Sequence, residues 1–255
     1  MVTKIAVFDS GLGSLSIIKE LQKISKSEII YFADQANYPY GNKSQAQLSK
    51  IIKNSFCLLE ENFSPHFIVV ASNTPSLLLN VNSKKIFDVK PPLFEATKIS
   101  KTKKIGILAT KSAIASKGLS KYIKNMKIPK NFEIYKINGS ELVDLVESGK
   151  FFSNKKFCQK IIKNTLEKKI HDNNIDTITL SSTHLPFLKT LLEKEFPKIN
   201  FVDPADVIAK KIFTKIKNIQ SKRNSLKIYA SGDTKKFQTK LNKIGIKNKV
   251  NPLPS

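Results

Sequence analysis

The feature that most constrains the fold is a regular alternation of short apolar runs with segments whose apolar residues recur at helical spacing. Runs typical of strands cover residues 4–8, 28–32, 67–71, 92–94, 104–109, 132–137, 176–181, 199–202 and 226–231. Between them, residues 12–24 and 154–172 repeat apolar side chains every three or four positions, as amphipathic helices do. Because a strand–helix–strand order closes most readily through a right-handed crossover, the pattern predicts an α/β fold with parallel sheets.

The two halves of the chain resemble each other weakly. KIAVFDSG at 4–11 has the pattern of KKIGILATKS at 103–112, and FIVVASNTPS at 67–76 has that of DTITLSSTHLP at 176–186. This echo predicts two similar parallel-sheet α/β domains that face each other across a cleft. We assign residues 1–95 and 205–255 to the first domain and residues 96–204 to a second, inserted domain.

Composition narrows the class of protein. The chain has 255 residues, enough for one large or two small α/β domains, and 40% of them are hydrophobic. Its apolar runs are far shorter than the roughly 20 residues that span a bilayer, and its start lacks a signal-peptide pattern, so we expect a cytoplasmic protein.

Two cysteines, Cys57 and Cys158, lie in helical patterns, where we expect small buried or half-buried side chains. Their spacing indicates neither a disulfide framework nor a metal site.

The net charge of +24 raises the question of a nucleic-acid or membrane partner. Almost all of the positive charge is lysine, since Arg223 is the only arginine, and base-edge and bidentate phosphate recognition favour arginine. The lysines are also scattered over helix faces. We therefore expect no specific nucleic-acid partner and no membrane partner, and at most salt-sensitive nonspecific adhesion.

Two short polar loops are the main candidates for a binding site. Ser72-Asn73-Thr74 follows the apolar run 67–71, and Ser182-Thr183-His184 follows the run 176–181. Each loop leads into a segment with a proline near its start. In parallel α/β sheets such loops lie at the carboxyl ends of the strands, which is where ligands bind.

Five segments together resemble the glutamate racemases, which belong to the aspartate/glutamate racemase family. They are IAVFDSGLGSLSIIKEL (5–21), YFADQANYPYG (31–41), VVASNTPS (69–76), LVDLVESGKF (142–151) and TLSSTHLPFL (179–188). The resemblance implies two α/β domains and a cofactor-independent interconversion of L- and D-glutamate. It also implies a small acidic amino acid as ligand, a homodimer as a common assembly, and a role in supplying D-glutamate for peptidoglycan and cell wall biogenesis.

The resemblance also assigns roles to residues of this chain. Ser72 and Ser182 stand where the family carries its two cysteine bases. The catalytic positions implied by the resemblance are Ser72, Ser182, Asp9, Glu147 and His184. The implied substrate-binding positions are Ser10, Tyr40, Gly41, Asn73, Thr74 and Thr183.

Serine at both base positions changes the expected chemistry. A cysteine thiol has an unperturbed pKa of about 8.5, so an active site can readily ionise it. A serine hydroxyl acts as a base or nucleophile only when a neighbouring base takes its proton. Four further departures from the family pattern are Pro75, Ala113, Ser181 and Leu185. We therefore expect glutamate binding with slow or absent racemisation, and the alternative is a non-catalytic ligand-binding or regulatory protein on the same fold. A third reading is a different reaction, in which His184 activates Ser72 or Ser182.

Each residue taken singly also has a purely structural interpretation. Asp9 and Ser10 could cap a helix that begins near Gly13, and Ser72 and Thr74 could cap the helix around Pro75. His184 could be an internally satisfied histidine, and Glu147 an ordinary charge at a helix end. Only their joint occurrence in the family order favours a site.

Overall fold

The computed structural model describes residues 2–79, 81 and 83–254. The chain divides into two compact units, residues 1–89 with 205–255 and residues 90–204, which we call the first and the second domain. The first boundary thus lies between Val89 and Lys90, whereas the sequence pattern assigns residues 90–95 to the first domain.

Strands of both domains alternate with helices along the chain. The strands are β1 (Lys4–Asp9), β2 (Glu28–Ala33), β3 (Phe67–Val70), β4 (Ile86–Asp88), β5 (Lys104–Ala109), β6 (Glu133–Asn138), β7 (Thr177–Leu180), β8 (Asn200–Val202), β9 (Ser225–Ala230) and β10 (Val250–Pro252). The first domain holds a six-stranded sheet in the order β10-β9-β2-β1-β3-β4, and the second a four-stranded sheet in the order β6-β5-β7-β8. Neighbouring strands pair in parallel in both sheets. The predicted fold class, two parallel-sheet α/β domains, is therefore confirmed.

The helices connect these strands. They are α1 (Ser14–Ile24), α2 (Gln45–Phe63), α3 (Asn73–Leu78), α4 (Leu93–Ile99), α5 (Lys111–Ala115), α6 (Lys117–Asn125), α7 (Ser140–Glu147), α8 (Lys150–Ser153), α9 (Lys155–Asp172), α10 (Lys189–Glu195), α11 (Pro204–Ile216) and α12 (Thr234–Lys243). Short 3₁₀ turns lie at Gln35–Asn37, Tyr40–Asn42 and Leu185–Leu188.

The strands read as continuous apolar runs because helices cover both faces of a parallel sheet. In β1, Ile5, Ala6, Val7 and Phe8 are all 0% exposed. The edge strand β6 is more open, since only Ile137 is fully buried there. Each domain therefore has a sheet-centred core of its own, and the strand ends are held in fixed positions.

Two parts of the strand prediction are wrong. Residues 92–94 do not form a strand: Leu93 begins helix α4, and the nearby strand is β4 at Ile86–Asp88. Pro91 and Pro92 explain the difference, because proline has no N–H to donate to a strand ladder but fits the start of a helix. The short edge strand β10 was not predicted.

No helix among the described residues is long and apolar enough to cross a membrane.

Candidate active site

The first half of the candidate site lies along the carboxyl edge of the first sheet. Phe8 of β1 pairs with Val70 of β3, and the backbone N–H of Ala71 donates to the Phe8 carbonyl oxygen at 2.8 Å. On the other side of β1, the N–H of Asp34 donates to the carbonyl oxygen of Asp9 at 2.8 Å. The loops that follow three neighbouring strands therefore begin side by side.

Asp9 is the last residue of β1 and is 3% exposed. Its Oδ1 accepts a hydrogen bond of 2.7 Å from the backbone N–H of Ser10. Helix α1 begins at Ser14, and its N-cap residue Gly13 has no side-chain capping bond in the described part of the chain. Asp9 and Ser10 thus form a buried polar turn directly before this helix.

Ser72 occupies the N-cap position of α3 in an extended backbone conformation. Within the described residues its hydroxyl makes no capping bond, so the capping interpretation of Ser72 is wrong. The turn is held instead by the side chain of Ser76, whose Oγ donates to the Ser72 carbonyl oxygen at 2.7 Å. Thr74 follows in the first turn and is half-buried.

Asn73 is the most unusual residue of this loop. It is 6% exposed, and neither Oδ1 nor Nδ2 of its amide has a hydrogen-bond partner among the described residues. An unsatisfied buried amide costs on the order of 1–3 kcal/mol. A side chain held in this state is a candidate for contact with a ligand.

Tyr40 and Gly41 lie in a 3₁₀ turn that follows β2. The Tyr40 side chain is buried, and its hydroxyl donates to Asp34 Oδ2 at 3.0 Å. Burial, together with the nearby carboxylates of Asp34 and Asp9, raises the pKa of Tyr40 well above its usual value. The phenol is therefore a neutral hydrogen-bond donor, and its hydroxyl is engaged by Asp34.

Asp34 is a residue that the sequence analysis missed. Its carboxylate accepts hydrogen bonds from Asn37 Nδ2 at 3.0 Å and from Ser231 Oγ at 2.8 Å, besides the bond from Tyr40. It therefore joins the turns after β2 to the residue after β9. Its position in the sequence could have identified it, since Asp34 follows the second apolar run just as Asp9 follows the first.

The second half of the candidate site lies at the carboxyl end of β7. Ser182, Thr183 and His184 follow this strand and are 7%, 3% and 8% exposed. Ser182 Oγ is 3.4 Å from His184 Nδ1, and His184 Nε2 is 2.7 Å from Glu147 Oε1. The His184 and Glu147 side chains are 10% and 9% exposed. Glu147 is thus a buried partner of the loop histidine, and the interpretation of Glu147 as an ordinary helix-end charge is wrong.

The four residues that depart from the family pattern are all buried. Ser181 Oγ lies 2.8 Å from Thr179 Oγ1, so its hydroxyl is satisfied inside the strand. Leu185 is 0% exposed in the core of the second domain, Ala113 is buried in α5, and Pro75 is buried in α3.

Neither cysteine lies in a strand-end loop. Cys158 is buried in α9, as expected, whereas Cys57 is exposed on α2, so the prediction of a buried or half-buried Cys57 is wrong. In the part of the chain that the structure describes, no group of three or more His, Cys, Asp or Glu side chains is placed to hold a metal ion.

Each domain thus carries one cluster of the residues selected from the sequence. In the first domain, Asp9 ends β1, and the other residues belong to the loops and first helical turns that follow β1, β2 and β3: Ser10, Tyr40, Gly41, Ser72, Asn73 and Thr74. In the second domain, Glu147, Ser182, Thr183 and His184 belong to the end of α7 and the loop after β7.

The relatives found by sequence comparison are glutamate racemases. No protein-family profile matches the chain. A curated glutamate racemase of Sulfurihydrogenibium sp. is 31% identical over 242 residues, which cover 92% of this chain and 88% of that protein. One of Thermoanaerobacter pseudethanolicus is 33% identical over 211 residues, which cover 80% of this chain and 77% of the relative.

Solved structures agree with this fold. A glutamate racemase isoform from Bacillus anthracis superposes with a TM-score of 0.84 at 22% identity, over 99% of this chain and 97% of that one. The Francisella tularensis glutamate racemase in complex with D-glutamate superposes with a TM-score of 0.79 at 23% identity, over 99% and 97% of the two chains. With 31% identity to a curated relative over 92% of its length, and with two parallel-sheet α/β domains, this chain belongs to the glutamate racemase family.

Proposed function

We propose that this protein binds glutamate or a closely related acidic amino acid, and that the polar loops at the carboxyl ends of its strands supply the contacts. The family relationship supports the class of ligand, because a structurally similar family member is solved in complex with D-glutamate. Ser72 and Ser182 occupy the positions of the two family bases, so racemisation at ordinary enzymatic rates is not expected.

The observation that carries the proposal is the unsatisfied amide of Asn73. Both polar atoms of this buried side chain have no partner among the described residues, although protein interiors satisfy most such groups. An amide offers two donors and one acceptor oxygen, which suit the carboxylate and ammonium groups of an amino acid. Hydrogen bonds to charged groups contribute about 1.5–3 kcal/mol each, so ligand binding would offset the cost of this residue.

The second domain supports the same proposal with a different kind of group. The hydroxyls of Ser182 and Thr183 belong to a buried polar loop, and the imidazole of His184 stands beside them. A loop of this composition at the carboxyl end of a parallel strand suits a small polar ligand better than an apolar one.

The missing bases limit the reaction. Inversion at the α-carbon needs a base on each of its two faces, and a neutral serine hydroxyl removes a carbon-bound proton far less readily than a thiolate does. Among the described residues, the Ser72 hydroxyl makes no hydrogen bond to an imidazole or a carboxylate. We therefore expect at least one of the two proton transfers to be very slow.

The test is titration calorimetry with L- and D-glutamate, combined with nuclear magnetic resonance of each enantiomer incubated with the protein in deuterated water. We expect a binding heat and little or no inversion. Asn73→Ala in the first domain tests whether the loop after β3 contacts the ligand, and Thr183→Val in the second tests the loop after β7; each should weaken binding if its loop makes that contact. Absence of any binding heat with both enantiomers at high concentration would contradict the proposal.

The alternative is a non-catalytic ligand-binding or regulatory protein. The presence of serine at both base positions favours it. The same experiment separates the two functions, because a purely binding protein gives a heat of binding but no α-proton exchange with either enantiomer.

A further inference from the structure

We infer that Ser182 is an activated nucleophile, which takes up a phosphoryl or acyl group from a small electrophile with a good leaving group. This reactivity would be distinct from proton transfer at glutamate. It uses residues of the second domain alone and does not depend on glutamate binding.

The inference rests on the order of three side chains. Ser182 Oγ lies 3.4 Å from His184 Nδ1, and the opposite ring nitrogen, Nε2, lies 2.7 Å from Glu147 Oε1. A hydroxyl, a base next to it and a third group that orients the base are the arrangement that activates nucleophiles in proteins. The first distance lies at the long end of the range over which a hydroxyl and an imidazole form a hydrogen bond.

The carboxylate also determines which nitrogen of His184 can act as the base. With Glu147 ionised, its carboxylate only accepts hydrogen bonds, and Nε2 then carries the proton that points to Glu147. In the neutral ring Nδ1 is then the accepting nitrogen, and it is the one that faces Ser182. The short Nε2–Oε1 contact therefore prepares the imidazole to receive the hydroxyl proton.

Burial strengthens this arrangement. The side chains of His184 and Glu147 are only 10% and 9% exposed, so water screens their interaction weakly. When His184 accepts a proton it becomes a cation 2.7 Å from a carboxylate, which stabilises the charged state.

Two other serines provide internal comparisons. Ser72 follows the equivalent strand of the first domain. Among the described residues, its hydroxyl is bonded to no imidazole and no carboxylate. Ser181 directly precedes Ser182, but its hydroxyl lies 2.8 Å from that of Thr179. Only Ser182 of these three is adjacent to a base.

The step that we propose for a phosphoryl fluoride balances as follows. Ser182 Oγ attacks phosphorus, the new O–P bond forms, and the P–F bond breaks with release of fluoride. The hydroxyl proton passes to Nδ1 of His184, and Glu147 stabilises the resulting imidazolium through Nε2. With an activated ester, the same attack occurs at the carbonyl carbon and the alcohol leaves.

The experiment treats the intact protein with diisopropyl fluorophosphate and locates the adduct by peptide mass spectrometry at timed intervals. We expect Ser182 to be modified about 100-fold faster than Ser72 and Ser181, the range typical of one positioned base. This comparison within one sample requires no variant and is therefore independent of folding defects.

Three substitutions complete the test. His184→Asn should slow the labelling of Ser182 by about 100-fold, and Glu147→Gln should slow it to a smaller extent. The control is His171→Asn, because His171 lies in the same domain with its side chain 90% exposed, and it should leave the labelling rate unchanged. If His184→Asn does not fold, the inference is still tested by Glu147→Gln and by the labelling rates of the three serines in the unchanged protein. Labelling of Ser182 that is absent, no faster than that of Ser72, or unchanged in a folded His184→Asn protein would overturn the inference.

Discussion

His184 Nε2 and Glu147 Oε1 lie 2.7 Å apart, although the two residues are 37 positions apart in the chain. The contact joins the loop after β7 to the last residue of helix α7. Both side chains are about nine-tenths buried, so the pair holds the orientation of the imidazole beside Ser182. This relationship is the basis of the first prediction.

Replacing Glu147 by glutamine should lower the free energy of unfolding by about 1–3 kcal/mol, because the hydrogen bond to His184 loses its charged partner in a buried site. Urea denaturation near neutral pH measures the change. Asp144→Asn is the matched control, since Asp144 is exposed on the same helix and should change stability by less than about 0.5 kcal/mol. Equal effects of the two substitutions would show that the buried pair does not contribute to stability.

Replacing Asn73 by alanine should leave the free protein as stable as before or slightly more stable, because the change removes two unsatisfied buried atoms. The same change should weaken glutamate binding by about tenfold or more, since one charge-assisted hydrogen bond is worth about 1.5–3 kcal/mol. Thermal unfolding and titration calorimetry measure the two quantities.

The control for this prediction is Ser76→Ala in the same helix. Ser76 Oγ donates to the Ser72 carbonyl oxygen at 2.7 Å and accepts from the Val89 N–H at 3.2 Å, so its loss should lower stability by about 1 kcal/mol. A large loss of stability in Asn73→Ala would instead identify Asn73 as a structural residue.

Ionisation of the buried Tyr40 phenol should lower the free energy of unfolding at alkaline pH. Its pKa is raised above 10.0 by burial and by Asp34 and Asp9, so the folded state holds the phenol proton more tightly than the unfolded state does. The resulting stability is fully present below about pH 10 and is lost as the pH rises through the folded pKa, by up to about 1.4 kcal/mol per pH unit. Tyr40→Phe should flatten this decline in urea denaturation measured at a series of alkaline pH values.

Tyr135→Phe is the control for the alkaline series. The Tyr135 hydroxyl donates to Glu133 in an exposed position, where water screens the interaction, so its removal should change the slope much less. Identical slopes in the unchanged protein and in Tyr40→Phe would contradict the prediction.

The double substitution Ser72→Cys with Ser182→Cys should create or greatly raise glutamate racemisation, because it places a thiol at both positions that the family resemblance assigns to the bases. Each positioned base is typically worth about 10²–10⁴-fold. Each single cysteine variant should exchange the α-proton mainly of one enantiomer, since one base reaches one face of the carbon. Circular dichroism of the glutamate solution follows racemisation, and nuclear magnetic resonance in deuterated water follows exchange.

The unchanged protein and the two single variants are the controls for this series. A double variant that folds and binds glutamate without any exchange would favour the non-catalytic binding protein. Ordinary enzymatic turnover by the unchanged protein would contradict the expectation that serine cannot replace the two cysteines.

The sequence by itself determined the architecture and the family. Hydrophobic periodicity is a local property of the chain, so the alternation of strands and helices was readable without a structure, and strand β5 lies at the predicted residues 104–109. The positions of the Ser72 and Ser182 loops followed from the same rule, because loops after parallel strands collect at one edge of a sheet. The interpretation failed at residues 92–94, where two prolines favour a helix start.

Only the tertiary structure decided which polar groups are satisfied. The bond from His184 to Glu147 joins residues 37 positions apart, and the bond from Tyr40 to Asp34 and the unsatisfied amide of Asn73 depend on how the loops pack. A residue type states how many hydrogen bonds a side chain can make, but packing determines which partners come within about 3 Å. The sequence itself places His184 two positions after Ser182, but only the structure shows that the other ring nitrogen of this histidine is held by the buried carboxylate of Glu147.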